Sequence, residues 1–167
     1  MKRYWIVLVV TMILSAIGFA QSERESTERR ESHQQQAPRT MGQQLVEQFV
    51  ATHSGLASLE IAVMSDAGCK TVAASAPEDI GEECDADELG PIRTGKAEVE
   101  APSNEDPIYD ITQALHDSSG NLIGAVGMDL KPDIGSRDAV VAHARQLLNE
   151  LEAKIPSKAW LSESAGR

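Results

Sequence analysis

Two apolar, β-prone runs, residues 109–115 and 122–130, stand on either side of the short polar segment Asp117-Ser118-Ser119-Gly120-Asn121. Strand-forming runs separated by so few polar residues predict an antiparallel hairpin over 107–130. Gly120 and Asn121 are the residues expected to supply the positive φ of its reversal. Gly124 and Gly127 remove the side chain from two positions of the second run, so something is expected to approach the backbone there. Alternation along the first strand puts Tyr109, Ile111 and Leu115 on one face and Asp110, Thr112 and His116 on the other. In the second strand, Leu122, Val126, Met128 and Leu130 lie opposite Ile123, Ala125 and Asp129.

The surrounding chain adds helices at the ends rather than between strands. Leu45, Val46, Phe49 and Val50 repeat at helical spacing over 42–52, with Gln43, Gln44, Glu47 and Gln48 opposite. Leu59, Ile61 and Val63 alternate over 59–64, Ser65-Asp66-Ala67-Gly68 reads as a turn, and 69–75 returns as a second strand. Residues 76–95 are acidic and broken by Pro77, Gly81, Gly90, Pro91 and Gly95, with one helical turn expected at 85–89 behind an Asp85 cap. A short strand at 97–101 precedes the hairpin. A helix capped by Ser136 follows it, with Val140, Val141, Ala144, Leu147, Leu148, Leu151 and Ile155 as its apolar stripe and Pro156 as its stop. Antiparallel hairpins with terminal helices make an α+β domain, and the missing βαβ units disfavour a parallel nucleotide-binding sheet.

The first residues have the pattern of a cleavable signal peptide over 1–20. Lys2 and Arg3 precede an apolar run, and small residues flank Phe19 before Ala20. The competing expectation is an uncleaved membrane anchor; in both cases the domain faces outward, periplasmic or secreted. Residues 21–40 lack aliphatic side chains apart from Ala37, and four glutamates balance four arginines, so a disordered polar linker is expected. The folded domain is expected over 41–156 and a flexible tail over 157–167. The acidity behind the net charge of −11 therefore falls on the domain, which argues against nucleic acid and against an anionic membrane surface.

Two cysteines, Cys69 and Cys84, are the whole supply. In an exported chain an even pair predicts a disulfide that pins the irregular segment back onto the sheet.

The stretches IAVMSDAGCKTVAAS (61–75), IGEECDADELGPIRTGKAEVE (80–100) and YDITQALHDSSGNLIGAVGMDL (109–130) resemble the PAS-like extracellular sensor family called Cache, over about residues 42–132. The resemblance implies a five-stranded antiparallel sheet behind a long helix, with a small-molecule pocket between the sheet and the central loop. Receptors of that family carry a second membrane helix and a cytoplasmic signalling module that have no counterpart here, so transmembrane signalling is not carried over.

Candidate ligand contacts are few. Arg93 and Lys96 are the cations of the acidic segment and suit a carboxylate, or else balance Glu82, Glu83 or Glu98. Tyr109 offers an aromatic wall or a core tyrosine, and Asp129 a partner for a ligand amine or an edge charge. His53, His116 and His143, with Met128, lack metal or haem spacing, so no metal and no cofactor is expected. No nucleophile sits in a recognisable elbow and no glycine run precedes a helix, so catalysis is not expected. The expected role is an exported sensor domain binding a small organic ligand, a carboxylate or an amino acid. The alternative is an interaction module without a pocket, pairing as a homodimer or docking on a receptor protein through the stripe of the last helix.

Overall fold

The computed structural model describes residues 39–104, 107–132 and 135–166. The expected signal peptide at 1–20 and residues 21–38 of the expected linker lie outside the described residues. Helix α1 (Met41–Thr52) leads to strands β1 (Leu56–Ser65) and β2 (Gly68–Ala74), a 3-10 turn (Pro77–Asp79) and helix α2 (Ala86–Thr94). Strands β3 (Glu98–Glu100), β4 (Tyr109–His116) and β5 (Leu122–Leu130) follow, then helices α3 (Arg137–Glu152) and α4 (Lys158–Leu161). The strands form one antiparallel sheet in the order β2-β1-β5-β4-β3. This is the expected α+β, PAS-like arrangement.

The register sorts the central strands into two faces. On one face, Leu59, Met128 and Ile111 lie side by side, then Ile61, Val126 and Gln113, then Val63, Gly124 and Leu115. Phe49 and Val46 of α1 and Val140, Ala144, Leu147 and Leu151 of α3 close this face into the hydrophobic core. Val141 and Leu148 pack at its margin. The apolar stripe of α3 is therefore covered by the sheet. At roughly 25 cal/mol per Å² of apolar surface, this layer supplies most of the drive to fold.

On the other face the rows are Ser58–Asp129–Asp110, Glu60–Gly127–Thr112 and Ala62–Ala125–Ala114. Small side chains there let α2 come close to β4 and β5. Helix α2 is longer than the single turn expected at 85–89. Gly90 and Pro91 read as breakers, yet the helix runs through them to Gly95. An Asp85–Glu88 capping box starts it, and Pro91 is its buried residue despite the missing amide.

Gly124 faces a neighbour within the sheet itself. A Cβ there would sit 1.9 Å from the Ala62 carbonyl oxygen, so β1 comes within reach only of a glycine. In the hairpin loop Gly120 alone takes a positive φ, +82°. Asn121 does not; its side-chain amide donates to the Asp117 carboxylate at 2.9 Å, and the backbone amides of Ser119 and Asn121 donate to the same group at 3.0 Å. These bonds, the Asn121 side chain foremost, hold the Asp117 carboxyl below its ordinary range. The register shifts between Leu115 and His116, which turns Ile123 into the core and leaves Leu122 48% exposed. Simple alternation placed these two residues the other way round.

The disulfide between Cys69 and Cys84 is present, with Cα atoms 5.3 Å apart. Around it, the amide of Thr71 donates to Glu82, that of Gly81 to Thr71, and that of Cys84 to Cys69. Residues 81–84 thus run along the outer edge of β2 and shield it from strand addition.

The segment after residue 157, expected to trail as a flexible tail, is docked. Leu161 is buried and packs on Gly42, and Ser157 caps α4. The amide of Met41 donates to Glu163 and that of Ala165 to Arg39, each at 2.8 Å. Arg39 and Thr40, assigned to the linker from composition, consequently belong to the fold. Thr40 also caps α1.

Candidate functional site

The four expected ligand contacts are not brought together. Arg93 is exposed near the end of α2 and Lys96 is exposed beyond it. Neither forms an ion pair with Glu82, Glu83 or Glu98 among the described residues. Tyr109 packs at the margin of the core, on the α1–α3 face. Asp129 lies on the other face, half-buried, and accepts a hydrogen bond from the Ser58 hydroxyl at 2.5 Å.

The sheet itself makes a different site. Strand β3 pairs only with residues 110–112 of β4, so β4 runs on from Gln113 to His116 beyond its neighbour. A cleft of about 230 Å³ occupies this uncovered edge, between the C-terminal half of α2 and Arg145 and Leu148 of α3. Pro91, Ile92, Leu122 and Leu148 give it apolar walls. Gln113, His116 and Arg145 are its polar lining, and Lys96 stands between the lining residues Gly95 and Ala97.

Gln113 is the informative member. It shares a row with Ile61 and Val126, is only 6% exposed, and its Nε2 has no hydrogen-bond partner. A buried amide donor left unsatisfied costs about 1–3 kcal/mol, so its presence among aliphatic neighbours calls for an acceptor. His116 is already engaged, since its backbone N and its Nδ1 both lie within 2.9 Å of Glu152 Oε1. Arg145 is exposed and makes no ion pair among the described residues. Sequence reading named Tyr109, Ile111 and Leu115 for this face and passed over Gln113. The signal was there: a glutamine interrupts an apolar alternation at position 113.

The opposite face is acidic. A second cleft of about 220 Å³ lies between Asp87 of α2, Glu98 and Glu100 of β3, and Asp110 and Thr112 of β4. Deeper on this face, burial pushes the Glu60 carboxyl above its ordinary range, the charges of Asp79, Glu82 and Asp85 add to the rise, and a hydrogen bond from the Thr71 hydroxyl opposes it. Among the described residues no three His, Cys, Asp or Glu side chains are grouped to hold a metal ion. His53 stacks on Phe49 and reaches Glu150, and Met128 is buried in the core, so they do not converge with His116. No helix among the described residues is long and apolar enough to cross a membrane.

No protein-family model matches the chain, and no curated protein is significantly similar to it. Among solved structures, the chain is similar to the repressor BlcR of Agobacterium tumefaciens at 12% identity and a TM-score of 0.46, over 79% of this chain and 73% of that one. It is similar to the GAF domain of a two-component sensor histidine kinase from Bacillus halodurans at 10% identity and a TM-score of 0.48, over 67% and 91%. It is also similar to the inducer-binding domain of the transcription factor PobR from Acinetobacter, in complex with 3-hydroxybenzoic acid, at 11% identity and a TM-score of 0.44, over 72% and 98%. These likenesses are too distant to carry anything about a ligand or a site. The fold rests on the strand order and register described above.

Proposed function

We propose that this chain is an exported, non-catalytic sensor domain of the Cache, PAS-like kind that binds a small organic molecule in the cleft at the β4 edge. The single observation that carries the reading is the orphaned amide of Gln113, a residue buried in an aliphatic row that also belongs to the cleft lining. Such convergence of apolar walls with a few polar groups is the usual form of a small-ligand site. A volume of about 230 Å³ suits a compact metabolite rather than a nucleotide. The Cys69–Cys84 bridge supports an oxidising, extracytoplasmic compartment, in keeping with the leader-like sequence at 1–20. The competing reading, an interaction module docking through α3, loses its motive because the stripe of α3 is buried against the sheet.

The test is a thermal-shift screen of small organic acids, amides and amino acids on the purified protein, beside native mass spectrometry of the protein as isolated. A bound small molecule, or a compound that raises the melting temperature, is the expected result. Absence of any bound molecule together with a flat screen would contradict the reading.

A further inference from the structure

Resting on that reading, we infer that the ligand is a monocarboxylic acid with an uncharged apolar body, its carboxylate held between the Arg145 guanidinium and Gln113 Nε2. The unsatisfied group of the lining residue Gln113 is a donor, so a ligand reaching it must bring an acceptor. Arg145 is the cation among the lining residues, and a guanidinium beside an amide donor matches a carboxylate.

Exclusions sharpen the class. None of the described residues lining the cleft is acidic, so the ammonium of an amino acid would enter without a counter-charge. Glu152, which ends α3 beyond Leu148, is taken up by His116. A second carboxylate would face Pro91, Ile92, Leu122 and Leu148, which suit hydrocarbon instead. The acids of this domain gather in the other cleft, around Asp87, Glu98 and Glu100, leaving the β4 edge the cation-lined one of the two.

The experiment is calorimetric titration of the purified protein with straight-chain acids from acetate to octanoate and with benzoate. Each is compared with its amide, its α-amino acid and its dicarboxylate counterpart. The expected outcome is that one or more monocarboxylates bind at least tenfold more tightly than the matching amide, and more tightly than the amino acid or diacid. Arg145→Gln should remove that tenfold advantage. Gln113→Leu should raise the melting temperature of the free protein and weaken the acid. Circular dichroism of both variants checks that the fold is intact. Equal binding of acid and amide overturns the carboxylate assignment but leaves the cleft as a ligand site. A preference for the amino acid or diacid likewise overturns it. If no compound binds and Gln113→Leu leaves the melting temperature unchanged, both the inference and the reading beneath it fail.

Discussion

The two faces of the sheet are built from the same strands with opposite economies of volume. One presents Leu59, Ile61, Ile111, Leu115, Val126 and Met128 and is closed by the long helices α1 and α3. The other presents Ala62, Ala114, Ala125, Gly127 and Thr112, and only the nine-residue α2 lies across it, flanked by carboxylates. Bulk on the first face leaves no room, and closure there is complete. Small residues on the second bring the helix close to the sheet, and space is left in the acidic cleft over β3 and at the margin where β3 ends before β4 does. The lesson is that a sheet does not by itself enclose a pocket; the length mismatch between edge strand β3 and its neighbour β4 makes the opening.

The contrast is broken most severely from its closed side. Leu59→Ala, or Phe49→Ala, removes a fully buried side chain with no solvent path to refill the void, and should cost about 2–5 kcal/mol in chemical denaturation. A loss below 1 kcal/mol would show that this face is not the tightly packed one. Next in size, replacing both Cys69 and Cys84 by serine should cost about 3 kcal/mol, the value for a loop of roughly fifteen residues. Hydrogen exchange should rise in residues 76–95 and leave α1 and α3 protected, because only the acidic face depends on that pin.

Two glycines on β5 sharpen the comparison within a single strand. Gly124→Ala drives a methyl into the Ala62 carbonyl and should destabilise by about 1–3 kcal/mol. Gly127→Ala places its methyl in ordinary contact, 3.9 Å from the Glu60 Cβ, and should be neutral or stabilise by up to about 1 kcal/mol. Equal thermal shifts for the two would deny the asymmetry.

The smallest effect is acid-dependent. Asp117 has its carboxyl lowered in the fold by Asn121 and the turn amides, so its stabilisation is fully present above the unfolded value of about 3.9. It is lost as pH falls through the lower folded value. The Ser119 and Asn121 amide resonances should therefore move only below about pH 4, and Asp117→Asn should abolish that movement.

Most of the closed face was legible in the sequence, because period-2 and period-3.6 apolar patterns report directly on burial against a single core. The caps at Ser136 and Asp85 and the Cys69–Cys84 pairing were legible for the same local reasons. What escaped depended on contacts distant in sequence. Helix α2 continues through Gly90-Pro91 with Pro91 buried, and no local signal offsets two breakers. Leu122 and Ile123 exchange places through a register shift that alternation does not carry. The end segment docks because Leu161 finds Gly42, more than a hundred residues away in the chain. The site was missed because Arg93 and Lys96 drew attention as charges in an acidic run. The decisive residue is instead a neutral glutamine, whose isolation appears only when Ile61 and Val126 are seen beside it.

The most direct test of the open-edge account is heteronuclear NMR of the isotopically labelled protein during titration with a mixture of small organic acids, amides and amino acids. The account predicts that the Gln113 side-chain amide shifts most, together with Ile92, Arg145 and Leu148, while Leu59 and Phe49 stay still. Shifts confined to Glu98, Glu100 and Asp110 around the acidic cleft, or no shift at Gln113 at any concentration, would contradict it.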